Sequence, residues 1–146
     1  MSKFLITTNK GELHGELYDE SAPQTVKHFL RLVNSGFYDD LEFFKYVPGV
    51  LMQTGCPKND GTGSADNYVK CELSGDDQHH KYGTMGMAHA KRDHNGSQFY
   101  ICLSADYVDE LDDNNTCFGK ISDEARPVLS KLKKGDIIKN IEIIDG

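Results

Sequence analysis

At 146 residues the chain is long enough to bury a substantial core and short enough to form one domain over 1–146. Hydrophobic residues at 38% and charged residues at 27% are ordinary for a globular protein, and no segment approaches the ~20 apolar residues of a membrane span. Lys+Arg 16 against Asp+Glu 23 gives a net charge of -7, which repels phosphate backbones; with no basic tail to offset it, no nucleic-acid partner is expected.

Residues Lys3 to Thr8 alternate, with Phe4 and Ile6 on one side, and Asn9-Lys10-Gly11 is a turn signal. Glu12 to Tyr18 alternates again, so the amino terminus predicts a β-hairpin. The period then changes. Val26, Phe29, Leu30 and Val33 fall at i, i+3, i+4 and i+7, which predicts a helix from about Pro23 to Ser35. Pro23 sits just inside its start and Gly36 at its end. Strand-like segments follow at Glu42 to Val47 and Val50 to Thr54, flanking Pro48-Gly49, then at Met85 to Ala88 and Gln98 to Leu103. Cys117 to Ile121 and Ile137 to Ile144 complete the set. A second helix is expected over Glu124 to Leu132, with Asp123 near its cap and Pro127 tolerated in its first turn. The polar stretch between Pro57 and Gly83 reads as long loops with at most a short strand. Many short strands with two helices predict an antiparallel barrel whose ends the helices cover.

Several side-chain clusters invite a chemical reading and fail on spacing. Cys56, Cys71, Cys102 and Cys117 form no C-x-x-C pair; two disulfides would suit a secreted protein, but without a signal peptide free buried thiols are expected. The amino-terminal residues contain no apolar core of signal-peptide length, which makes a cytoplasmic location the expectation. His79, His80, His89 and His94 lack zinc-site spacing with Cys56 or Cys71; His79 and His80 are expected to be solvated. Asp106, Asp109, Glu110, Asp112 and Asp113 lack the EF-hand pattern and read as a solvated loop. Gly61-Thr62-Gly63 lacks the Lys-Ser/Thr of a P-loop and reads as a flexible loop.

Ordered blocks along the chain resemble the cyclophilin family of peptidyl-prolyl cis/trans isomerases. They are A-P-Q-T-V-K-H-F-L from Ala22 with Gly36-Phe37-Tyr38-Asp39, F-F-K-Y-V-P-G-V-L-M-Q-T-G-C-P from Phe43 to Pro57, and M-G-M-A-H-A from Met85 to Ala90. N-G-S-Q-F-Y-I from Asn95 to Ile101, Leu111-Asp112 and Cys117-Phe118-Gly119-Lys120 follow in order. The resemblance implies a mainly β fold: a closed eight-stranded antiparallel barrel capped by two α-helices, with a peptide groove outside. It implies isomerisation of X–Pro bonds in peptides and folding proteins, without metal or organic cofactor. Lys45 and Gln53 match the family's catalytic positions, and Gln98 and Asn115 match polar groove positions. The proline pocket maps onto Val50, Leu51, Tyr100 and Leu111, and the peptide-backbone contacts onto Ala88, His89 and Ala90.

The sequence departs from the pattern in ways that matter. Lys45 stands where the family carries arginine, exchanging a rigid planar fork for a flexible point charge. Val50 replaces an aromatic wall, Asn115 and Phe44 replace histidines, and Glu110 replaces a tryptophan whose space Tyr107 is a candidate to share. These changes predict lower activity than a typical member and weak binding of cyclosporin, a drug that the family binds. The alternative is a catalytically weak or inactive module that binds proline peptides within a larger assembly. A monomer is expected.

Overall fold

The computed structural model describes residues 2–105 and 108–145, with Asp109 and Asp145 described by their backbone alone. Asp106 and Tyr107, named above, lie outside the described residues. Strands β1 (Lys3–Thr8) and β2 (Gly11–Leu17) form the expected hairpin, pairing Phe4 with Gly15 and Ile6 with Leu13. The remaining strands are β3 (Lys45–Val47), β4 (Leu51–Thr54), β5 (Thr84–Met87), β6 (Phe99–Cys102), β7 (Cys117–Ile121) and β8 (Ile138–Asp145).

Helix α1 (Pro23–Asn34) buries Val26, Phe29 and Val33 and ends before Gly36, whose φ of 76° is the left-handed conformation that glycine tolerates. Its own cap residue, Ala22, supplies no side-chain acceptor. Glu72, from the long loop, takes that place, accepting from the Gln24 and Thr25 amides at 3.2 and 2.8 Å and from the Thr25 hydroxyl at 2.7 Å. Helix α2 (Arg126–Leu129) is shorter than the expected Glu124 to Leu132, and a 3₁₀ turn over Asp123–Ala125 precedes it. An α-helix begun at Glu124 would need an amide hydrogen from residue 127 to Asp123, and Pro127 has none.

The eight strands make one curled antiparallel sheet in the order β3-β4-β6-β5-β7-β2-β1-β8. The expectation of a closed barrel is corrected here: no ladder joins β3 to β8 among the described residues, and the barrel is open at that seam. The Glu42↔Ile137 bridge and loop hydrogen bonds, such as Phe43 N to Asp136 O at 2.8 Å, span the gap. Strand β3 begins only at Lys45 because the run before it is otherwise engaged. The amide of Glu42 donates to Asn59 Oδ1 at 2.9 Å, and its carbonyl accepts from the Thr54 hydroxyl at 2.8 Å. Among the described residues no helix is long and apolar enough to cross a membrane.

The concave side holds the main core, centred on Phe29, Tyr38, Phe99 and Phe118, whose ring centroids lie 5.2–6.1 Å apart in tilted and edge-on pairs. A second, smaller cluster lies on the outer face, where Tyr100, Cys102 and Val108 are buried with Val50, Leu51, Ala88 and Leu111 packed on them. Strand β6 is therefore buried on both faces, with Phe99 and Ile101 facing inward and Tyr100 and Cys102 outward. A sheet face that would ordinarily be solvated carries apolar cover here. That cover is the base of a groove.

Candidate active site

Register places the key side chains in one line. Lys45 pairs with Gln53 across β3 and β4, Gln53 with Tyr100 across β4 and β6, and Tyr100 with Gly86 across β6 and β5. Strands lie about 4.8 Å apart, so Lys45 and Tyr100 start about 10 Å apart on the same face, with Gln53 between them. A groove of about 590 Å³ runs over this row. Lys45, Gln53 and Tyr100 line it together with Leu51, Gln98, Leu111 and Asn115 and the strip Ala88, His89, Ala90. Ten of the eleven residues named from sequence thus meet at one surface. The eleventh, Val50, is not among the lining residues; it packs against the outer cluster beside Leu51.

The amide side chains of the groove are anchored rather than free. Gln98 donates from Nε2 to Gly63 O at 2.7 Å and to Gly61 O at 3.1 Å, and its Oε1 accepts from Gln53 Nε2 at 2.9 Å. Both amide hydrogens of Gln98 are therefore spent on the 61–63 loop, which leaves Gln53 Oε1 and its second amide hydrogen to face the groove. The loop expected to be merely flexible is a tethered wall. Asn115 donates to Met87 O at 2.9 Å, bracing the end of β5. His89 Nδ1 lies 3.0 Å from Asn95 Oδ1, and Asn95 in turn donates to Val69 O at 3.1 Å.

Sequence reasoning missed the far half of the groove, where Tyr68, Lys91 and His94 join Gly61–Ser64 as lining, with the Tyr68 and His94 rings 5.5 Å apart. These residues lie in loops without periodicity, so no local pattern marks them. The lining contains Lys45, Lys91, His89 and His94 but no described carboxylate, in a chain of net charge -7. Among the described residues neither lysine enters an ion pair.

His80 corrects a second expectation. It is buried, not solvated, with Nδ1 2.7 Å from Asp112 Oδ1 and Nε2 2.7 Å from the Tyr100 hydroxyl; His79 remains exposed. Burial lowers the His80 pKa, and the opposing attraction of Asp112 does not restore it. Burial would raise Asp112, but donors from the His80 backbone and ring and from His79 hold it below the usual carboxylate range. Burial pushes the Tyr100 phenol strongly up. Gly86 makes room for this arrangement, since a Cβ there would overlap the Tyr100 hydroxyl. Among the described residues no group of three or more His, Cys, Asp or Glu side chains converges as a metal site, and all four cysteines are free.

Residues 3–145 match the family described as cyclophilin type peptidyl-prolyl cis-trans isomerase/CLD. The chain belongs to the cyclophilin-type peptidyl-prolyl cis-trans isomerase family. A peptidyl-prolyl cis-trans isomerase of Helicobacter pylori is 44% identical over 139 residues, covering 93% of this chain and 83% of that protein. Peptidyl-prolyl cis-trans isomerase B of Bacillus subtilis is 36% identical over 140 residues, covering 96% of each. Among solved structures, a cyclophilin of Cryptosporidium parvum, crystallised in the presence of the dipeptide Ala-Pro, superposes with a TM-score of 0.90 at 31% identity, covering 99% of each chain. Within this cyclophilin, the lysine at position 45 sets one of the groove's two lysine charges on an exposed, flexible stem.

Proposed function

We propose that the Lys45–Gln53–Tyr100 row carries the chain's peptidyl-prolyl isomerase activity, with Leu51, Tyr100 and Leu111 gripping the proline ring and Lys45 and Gln53 acting on the rotating amide. The X–Pro bond resists rotation because the nitrogen lone pair is delocalised into the carbonyl, a barrier of about 18–20 kcal/mol. At the twisted geometry that conjugation is lost and the nitrogen becomes a better acceptor. A donor aimed at it binds the twisted state more strongly than the planar one, and each ~1.4 kcal/mol of preference is worth tenfold in rate. The apolar pocket holds one end of the bond while Gln53 steadies the backbone on the other side. No nucleophile, proton transfer or bound cofactor enters this scheme.

The observation that carries the reading is the register that sets a cation, an amide and an apolar floor side by side under one groove. Lysine's single flexible ammonium is less preorganised than a planar guanidinium, and Val50 lends no ring to the pocket, so activity is below that of a member with arginine and an aromatic wall. The substrates are prolyl bonds of unfolded chains, whose slow isomerisation the enzyme shortens during folding. Four free thiols suit a reducing, cytoplasmic setting. Cyclosporin binds weakly for the same reasons that the pocket is shallow.

Exchange spectroscopy on an Ala-Pro peptide tests the activity. The protein at catalytic concentration accelerates cis/trans exchange, and Lys45→Arg accelerates it several-fold further. Shifts on binding with no acceleration would reduce the groove to a proline-peptide docking module.

A further inference from the structure

Tyr100 lines the groove with its ring, while its hydroxyl bonds to His80, which does not line the groove. The three groups of this chain form a line with one role per atom. Asp112, held ionised, can only accept, so His80 Nδ1 carries the hydrogen that it donates at 2.7 Å. The His80 amide donates to the same carboxylate oxygen, also at 2.7 Å. His80 Nε2 is then an acceptor, and the Tyr100 hydroxyl donates to it at 2.7 Å. The two rings stack at 5.7 Å with 25° between their planes, and Gly86 opposite Tyr100 leaves the hydroxyl its space.

On the isomerase reading of the groove, we propose that His80 and Asp112 are positioning residues that fix the Tyr100 ring as the floor of the proline pocket. Neither touches substrate. A tyrosine at the base of an apolar pocket is otherwise a liability, because its hydroxyl needs a partner and the ring follows whichever partner it finds. Here the partner lies outside the groove lining, on a side chain that is itself buried and oriented by a carboxylate. The ring presents only its apolar edge and face to the groove. A pocket floor held this way grips the planar and the twisted prolyl bond alike, so it governs KM more than kcat.

The test combines a spectroscopic signature with a double-mutant cycle. In the unaltered protein, ring ¹⁵N shifts of His80 near neutral pH show a neutral imidazole protonated at Nδ1. His80→Leu leaves the Tyr100 hydroxyl without an acceptor and Tyr100→Phe leaves Nε2 without a donor. Each raises KM for an Ala-Pro peptide by about fivefold with a smaller change in kcat. The double variant His80→Leu/Tyr100→Phe removes both orphaned atoms and recovers most of that loss. A purely structural contact would lower thermal stability and leave KM in place, which overturns the proposal. So does an Nε2-protonated or cationic His80 in the unaltered protein, a reading that stands even if a variant fails to fold. Normal isomerisation with unchanged KM in the variants sinks this proposal alone; absence of isomerisation by the unaltered protein sinks the reading of the groove with it.

Discussion

Exchanging Gln98 for glutamate keeps the shape of the side chain and removes its two amide hydrogens. Those hydrogens hold Gly61 O and Gly63 O at 3.1 and 2.7 Å, so the 61–63 wall loses its tether and two carbonyl oxygens come to face a carboxylate. The contact with Gln53 survives, because Gln53 is the donor in that 2.9 Å bond. Each lost bond is worth about 1 kcal/mol net, so the two together are worth about 2 kcal/mol. For a chain of this size that lowers Tm by roughly 4–8 °C. Activity falls as well. Gln53 is drawn toward the new charge and the opposite wall loosens, so kcat/KM falls about tenfold. Thermal unfolding, peptide exchange spectroscopy and amide hydrogen exchange at Gly61 and Gly63 read the three effects. Wild-type kcat/KM with unchanged protection at both glycines would refute the claim that Gln98 serves the site by tethering this wall.

Glu72→Gln weakens the borrowed cap of α1, because a neutral amide accepts less well from the Gln24 and Thr25 amides; it costs about 1 kcal/mol, measured by chemical denaturation. Burial lowers the pKa of both His28 and His80, so the unfolded chain binds protons that the native one refuses. Stability is therefore fully present above the ordinary histidine pKa of about 6.5 and declines as pH falls from there. Asp112 and Asp136, held below their ordinary values, add a second decline below about pH 4; denaturation midpoints that rise between neutral pH and pH 5 would contradict the histidine part. The groove's lysines predict that peptides with glutamate beside the proline have a KM two- to tenfold lower at low salt, an advantage abolished at high salt, with steady-state kinetics as the check.

Periodicity carried most of the fold. The stripe Val26, Phe29, Val33 and the alternation in β1 and β2 are local consequences of burial on one face, and they appear where expected. What escaped was set by distant partners. Strand β3 starts only at Lys45 because Asn59 and Thr54 engage the backbone of Glu42, and no pattern near residue 42 encodes that. The site residues in strands were legible through the family resemblance, and the register then explains why Lys45, Gln53 and Tyr100 belong together. His80 was not legible. In sequence it is half of a histidine pair in a polar loop, and only the fold brings it against Tyr100, 20 positions away, and Asp112, 32 positions away.

Magnetisation exchange on an Ala-Pro peptide, comparing the unaltered protein with Lys45→Ala at equal catalytic concentration, asks the most direct question of the Lys45–Gln53–Tyr100 row. Exchange falls about tenfold or more in the variant, while peptide-induced shifts at Leu51 and Leu111 persist because the pocket is intact. Equal exchange rates in the two proteins would take the cation out of the chemistry.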